Sequence, residues 1–203
     1  MRILCFDTCS FHYSIAIVED SAVISSIVSK DKQMQCEELI LQTENILSSN
    51  NLSYNDIDAV AVTTGPGTFN GTRIGIAAAY GISIAKKIPI YGVNSLQMIA
   101  CKVFLRDHSF PLRICFLADN TTGFVQDFYL DDSCIKSYKD EPDKISLQQA
   151  NLDNCIKFDV NHFDLIDSQI SNAAATGIFI KNSKTMNNTS LFYGKPPSIN
   201  GQI

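Results

Sequence analysis

Two short stretches of this chain hold residue types that could do chemistry. Asp7-Thr8-Cys9-Ser10 follows the apolar run from Ile3 to Phe6 and places a carboxylate, two hydroxyls and a thiol at its end, with His12 close behind. A carboxylate in such a place can contact a metal ion or a phosphate, and it can equally accept the N–H groups of its own turn. Thr8 and Ser10 have the same two uses. Cys9 would be a nucleophile only with a base beside it, and His12 is a neighbour in sequence alone. The second stretch runs Thr63-Thr64-Gly65-Pro66-Gly67-Thr68-Phe69-Asn70-Gly71-Thr72-Arg73. Gly65, Pro66 and Gly67 force a tight turn between an apolar run and a long apolar segment, so the chain reads strand, sharp loop, helix. Such a loop aims backbone N–H groups at the first turn of a helix, where an anion is favoured.

Two phosphate motifs can be tested on that loop, and both fail. A Walker loop needs Gly-Lys-Ser/Thr at a fixed spacing from its first glycine, where this chain has Asn70 or Thr72. A dinucleotide loop needs its third glycine where Asn70 stands. What remains is a plain strand-to-helix turn or a looser nucleotide contact by Asp7, Thr8, Gly65, Gly67 and Thr68. No metal site is expected, because His12, His108 and His162 are far apart and no pair lies four residues apart on a helix.

Composition narrows the classes. The chain has 203 residues, 45% hydrophobic and 18% charged, enough to bury a core as one large domain or two small lobes. A formal net charge of −5 gives no overall attraction to nucleic-acid phosphates, so any nucleic acid would be reached through a partner. The seven cysteines, at 5, 9, 36, 101, 115, 134 and 155, form no Cys-x-x-Cys pair, which suits reduced thiols in the cytoplasm. No apolar run approaches the roughly 18 residues of a membrane span, and the start of the chain shows no signal-peptide cleavage pattern.

The elements that must position these residues follow from periodicity. Ile3 to Phe6, Tyr13 to Glu19 and Val23 to Val28 read as an antiparallel meander. From Gln35 to Ser49 the period becomes helical, with Cys36, Leu39, Ile40, Thr43, Ile46 and Leu47 on one side and Leu41 on the polar side. After a turn at Ser53 or Asn55 come a strand at Ala59 to Val62, the glycine loop and its helix, a strand at Pro89 to Val93, and a helix from Leu96 to about Leu105 capped by Asn94 or Ser95. This is one complete α/β lobe, residues 1–107. Residues 108–203 form a second, reduced lobe: a strand pair at Arg113 to Ala118 and Phe124 to Leu130, weak signal beyond Asp131, and a helix near Phe163 to Ala175.

The helix after the glycine loop needs cover on two sides. It has no charge from Ile74 to Ala85, and at about 100° per residue Gly71, Gly75, Ala78, Ile82 and Ala85 share one stripe. Gly75 and Gly81 each cost about 1 kcal/mol relative to alanine, which suggests close backbone approach, either within the chain or to a partner. Arg73, in the first helical turn, is disfavoured by the dipole and should pair with a carboxylate or an anion.

The order of elements, the opening Ile3-Leu4-Cys5-Phe6-Asp7-Thr8-Cys9-Ser10 and the central Gly65 to Gly75 together resemble the TsaB (YeaZ) family. Asp119 to Tyr129 is similar to that family's Asp-Ala-Arg-x-x-Glu-Val-Tyr strand pair, and Phe192-Tyr193-Gly194-Lys195-Pro196 to its terminal Tyr-Leu-Arg-x-Pro. The likeness covers residues 1 to about 105 well and the rest thinly. It departs at Gln35-Cys36, where the family has His-Ser. The resemblance implies an α/β fold of the actin-like, sugar-kinase and Hsp70 ATPase (ASKHA) class. It also implies a non-catalytic partner of the TsaD-type enzyme, which works with the ATPase TsaE to form threonylcarbamoyladenosine at adenosine 37 of tRNA. ATP or ADP would sit, if anywhere, at the junction with that paralogue. The implied interface lies on the first-lobe helices, at Leu41, Gly71, Arg73, Ile74, Gly75, Ala78 and Ile82. Two alternatives stand beside it: a phosphotransferase of the same fold, or a homodimer that has left the pathway.

Overall fold

The computed structural model describes residues 1–29, 35–132, 134–159 and 171–182. Its first sheet opens with β1 (Arg2–Asp7), β2 (Ser14–Glu19) and β3 (Ala22–Val28), each antiparallel to the one before. Then come α1 (Gln35–Ser49), β4 (Ala59–Thr63), α2 (Phe69–Lys86), β5 (Ile90–Val93) and α3 (Ser95–Asp107). β4 pairs parallel to β1 and β5 parallel to β4, so the strand order is β3-β2-β1-β4-β5. Strand alternation in β1 splits the core. Leu4 and Phe6 face one apolar layer with Leu39, Ile46, Ile76 and Ala79 of α1 and α2, while Ile3 and Cys5 face another with Ile99 and Val103 of α3.

Local chemistry accounts for the element ends. Asn94 caps α3: its side chain accepts from Gln97 N at 2.8 Å, and its own N–H donates to Gln97 Oε1 at 2.9 Å. Ser53 caps a short 3-10 turn at Tyr54–Asp56. β4 reads as an uninterrupted apolar run because β1 and β5 flank its edges and α2 and the C-terminal helix of the described residues pack on it, leaving all five of its residues buried.

The second sheet holds β6 (Leu112–Leu117), β7 (Thr122–Asp131), β8 (Cys134–Ser137), β9 (Asp143–Ser146) and β10 (Cys155–Phe158). Its order is β10-β6-β7-β8, with β9 also on β7. The last three strands have four residues each, too short for a periodic signal against their polar surroundings. The final described element, α4 (Asn172–Asn182), returns to pack on β1, β2, β4 and α3 of the first sheet. The sequence places this helix near Phe163 to Ala175. Residues 160–170 lie outside the described residues, and the described helix starts at Asn172, where an alanine-rich run is apolar all round. One apolar layer joins the two sheets, from Ile3 and Cys5 through Leu96 and Ile99 to Phe116, Phe128 and Phe158.

Candidate functional site

The glycine loop and the end of β1 meet, as a strand order with β4 beside β1 requires. Gly65 has φ +93°, a left-handed conformation that its lack of a side chain permits. Its carbonyl accepts from Ser95 N at 2.8 Å, and Thr64 N donates to Val93 O at 2.8 Å. Gly67 lies so close to β1 that a Cβ there would stand 2.4 Å from Cys9 O. Thr68 N donates to that same carbonyl at 2.7 Å, and Thr72 N donates to Thr68 O at 3.0 Å. Close approach is therefore the reason for the glycine, and the approach is to the chain's own backbone.

The polar groups of the first stretch are engaged in the same way. Thr8 Oγ1 donates to Gly71 O at 2.6 Å. Asp7 is fully buried; Oδ1 accepts from Cys9 N at 3.3 Å and Oδ2 from Asn172 Nδ2 at 3.0 Å. The Asp7 carboxylate, the Thr8 hydroxyl, Gly65 O and Thr68 N are thus engaged inside the fold, which leaves them turned to the chain itself. Cys9 is buried, with Sγ 3.3 Å from Thr63 O and 3.4 Å from Thr72 Oγ1. Burial first, and then the charge of Asp7, push its thiol well above the ordinary range. The ring of His12 points elsewhere, with Nδ1 3.1 Å from Ser29 O. Among the described residues no cluster of three or more His, Cys, Asp or Glu could hold a metal ion.

On α2 the structure corrects the expected orientation. Gly71, Gly75 and Ile82 face the chain's interior together with Ile76 and Ala79, not a partner. A Cβ on Gly75 would stand 2.3 Å from Thr8 Oγ1, so the small-residue stripe seats the helix on β1. The outward stripe is Phe69, Arg73, Ala77, Tyr80 and Ile84, the last 73% exposed. Within the chain Arg73 stacks on an aromatic face, its guanidinium carbon 3.7 Å from the centroid of the Phe69 ring.

Between α1 and α2 lies an open apolar groove lined by Leu39, Ile40, Arg73, Ile74, Ala77 and Ala78. Ile40 is exposed at its rim, contrary to the inward position that its helical period suggests, and Leu41 stands outward at 56% exposure. Of the residues singled out for an interface, Leu41, Arg73, Ile74 and Ala78 border this surface. Ile40 of α1 and Ala77, Tyr80 and Ile84 of α2 are exposed beside them, and the three on α2 are legible in the sequence only as part of an unbroken apolar helix. The Gln35-Cys36 side chains, and residues 192–196 with their terminal-motif likeness, lie outside the described residues. No helix among the described residues is long and apolar enough to cross a membrane.

Comparison with known proteins now adds the lineage. A family model described as TsaD, tRNA N6-adenosine threonylcarbamoyltransferase, matches residues 23–142. The tRNA threonylcarbamoyladenosine biosynthesis protein TsaB of Escherichia coli (strain K12) is 33% identical over 100 residues, 49% of this chain and 43% of that protein. The tRNA N6-adenosine threonylcarbamoyltransferase of Prosthecochloris aestuarii is 29% identical over 123 residues, 54% of this chain and 36% of that protein. The chain thus spans less than half the length of these curated relatives. YeaZ from Pseudomonas aeruginosa superposes with a TM-score of 0.66 at 18% identity, over 75% of this chain and 70% of that one. At that identity the likeness is one of fold, and it agrees with the ASKHA class expected from the order of elements. With more than half of its residues matched by the family model, the chain belongs to the family that this model describes, and its partial similarity to TsaB proteins agrees with the resemblance carried by its motifs.

Proposed function

We propose that the chain is a non-catalytic partner subunit in the formation of threonylcarbamoyladenosine on tRNA, docking a larger TsaD-type enzyme through the groove between α1 and α2. The observation that carries the reading is the groove itself. Leu39, Ile40, Ile74, Ala77 and Ala78 line it, and Ile40, Leu41, Tyr80 and Ile84 leave large apolar side chains exposed on the same two helices, the kind of surface that marks a protein interface. The engaged state of Asp7, Thr8 and Cys9 supports a role without its own turnover, since each candidate catalytic group is tied into the fold. In this reading a TsaE-like ATPase acts on the assembled pair in the cytoplasm, any ATP or ADP belongs to the junction with the enzyme, and tRNA is contacted through the partner.

The same mostly apolar groove fits a second copy of the chain when the enzyme is absent. Co-expression with a TsaD-type enzyme, followed by size-exclusion chromatography and an assay for the modified nucleoside, tests the proposal. A heteromeric species that restores the nucleoside supports it. A self-associated species that ignores the enzyme and restores nothing would sink it.

A further inference from the structure

One charge stands in the groove between α1 and α2. Its lining is Leu39, Ile40, Ile74, Ala77, Ala78 and a single ionisable side chain, Arg73. Arg73 is exposed, and among the described residues its one partner is the Phe69 ring a helical turn earlier, 3.7 Å from the guanidinium carbon. Stacking covers one flat side of the guanidinium. The N–H groups at its edge make no hydrogen bond or ion pair among the described residues, and they form a planar fork that matches a carboxylate at two points.

An occupant that fills the groove takes this cation out of water. A guanidinium buried against apolar surface is costly unless an anion meets it. The groove therefore asks for a helix that is apolar along one stripe and carries a carboxylate beside it. α1 shows that such a face belongs to this architecture: Ile40 and Leu41 are exposed, Glu37 and Glu44 stand exposed about one turn to either side, and no Lys or Arg lies between Gln35 and Ser49. The family model that matches this chain across α1 and α2 is that of the transferase. A TsaD-type enzyme thus has counterparts of both helices, and its counterpart of α1 is the occupant that the charge pattern favours.

We propose that Arg73 is the specificity-determining residue of the groove, taking a carboxylate of the enzyme's docking helix in a two-point contact and thereby fixing which helix docks and in which register. The inference rests on the docking proposed above and adds the charge that selects the occupant. Because Phe69 restrains the guanidinium beforehand, less freedom is lost when the contact forms.

The test measures the affinity of the full chain for a purified TsaD-type enzyme by titration calorimetry, with the urea midpoint and the mass of the free chain as controls. As Arg73 is exposed, its variants should keep the urea midpoint. Arg73→Met keeps the reach of the side chain and removes its charge. With a carboxylate opposite, that anion is left buried and alone, and affinity should fall about thirtyfold or more. Without one, methionine suits the apolar lining better than arginine and affinity should hold or rise, which overturns the inference. Arg73→Lys keeps the charge but not the fork and should lose about tenfold; binding equal to wild type overturns the two-point contact. Ala77→Glu separates the two proposals. If it weakens binding while Arg73→Met does not, the docking stands and the role of Arg73 falls; if it leaves affinity unchanged, the docking falls and this inference with it. Should Arg73→Met undo a self-association of the chain and spare the enzyme, the carboxylate belongs to a second copy and the assignment to the enzyme is overturned.

Discussion

Thr8 Oγ1 donates a 2.6 Å hydrogen bond to Gly71 O, and the same oxygen lies 2.3 Å from where a Cβ on Gly75 would stand. One hydroxyl thus sits in the notch formed by two glycines one helical turn apart. The contact explains the internal glycine of α2: the helix is pressed on the end of β1, and a side chain at Gly75 would lift it.

Substitution at Gly75 should accordingly destabilise the fold. Gly75→Ala gains up to about 1 kcal/mol of helix propensity but meets a buried, bonded hydroxyl, and overpacking of this kind costs about 1–3 kcal/mol. A lowered urea midpoint is expected. Combined with Thr8→Ala, which removes the obstructing oxygen, the loss should be smaller than the sum of the two single losses. Gly75→Leu should fail to fold and is not a probe of association. Gly81 is the contrast: a Cβ there meets nothing within 4 Å. Gly81→Ala should therefore raise stability by up to about 1 kcal/mol. Equal effects at the two glycines would contradict this orientation of α2.

The groove makes a separable prediction. Ala77 is exposed in its lining, so Ala77→Glu should leave the urea midpoint nearly unchanged, as surface substitutions do within about 0.5 kcal/mol. Association with the TsaD-type partner should weaken at least tenfold, about 1.4 kcal/mol, because a carboxylate would be desolvated in an apolar contact. Sedimentation equilibrium or calorimetry reads this directly. Undiminished affinity would move the interface elsewhere.

Thiol chemistry offers a pH test. Burial pushes the thiols of Cys5 and Cys9 far up and that of Cys101 up to about 12. A group whose folded pKa lies above its unfolded value contributes stability that is present below the unfolded pKa, near 8.5 for cysteine, and is lost as pH rises. Between those values the folded state holds more protons than the unfolded one, so each such thiol lowers stability by up to about 1.4 kcal/mol per pH unit. Unfolding free energy should fall above about pH 9, and Cys101→Ala should flatten that limb. Alkylation of the native chain at pH 8, mapped by mass spectrometry, should spare Cys5, Cys9 and Cys101 and modify the half-buried Cys155 faster.

Isolated chain should bind tRNA weakly at physiological salt, since its net charge is −5 and no Lys/Arg run interleaves with aromatics. A submicromolar, salt-sensitive affinity without a partner would count against a role reached through the enzyme.

Much of the fold is legible in the chain because its signals are local. Short, closely spaced apolar runs mark β1 to β3, the change to a helical period at Gln35 marks α1, and a cap at Asn94 or Ser95 marks the start of α3. The Gly65-Pro66-Gly67 turn and the long uncharged run behind it likewise announce α2. What the sequence determined by itself was therefore the order of the first-lobe elements, and through its motifs the family.

Tertiary structure alone decided which way each face turned. Gly71, Gly75 and Ala78 share a stripe by geometry, but only the seat of α2 on Thr8 shows that the glycines look inward and that Ala77, Tyr80 and Ile84 look out. A helix apolar all round carries no internal mark of which side meets its own sheet. β8 to β10 are too short to show a period, and α4 is apolar on every side because β1, β2, β4 and α3 surround it. Lys102 is the clearest case: within the sequence it is one lysine on a helix, the residue type most often left in water. Buried, it donates to Asn172 Oδ1, 70 residues further on, whose Nδ2 donates in turn to Asp7 Oδ2. No local pattern encodes a hydrogen-bonded chain across three separate elements, because it exists only once the fold has brought them together.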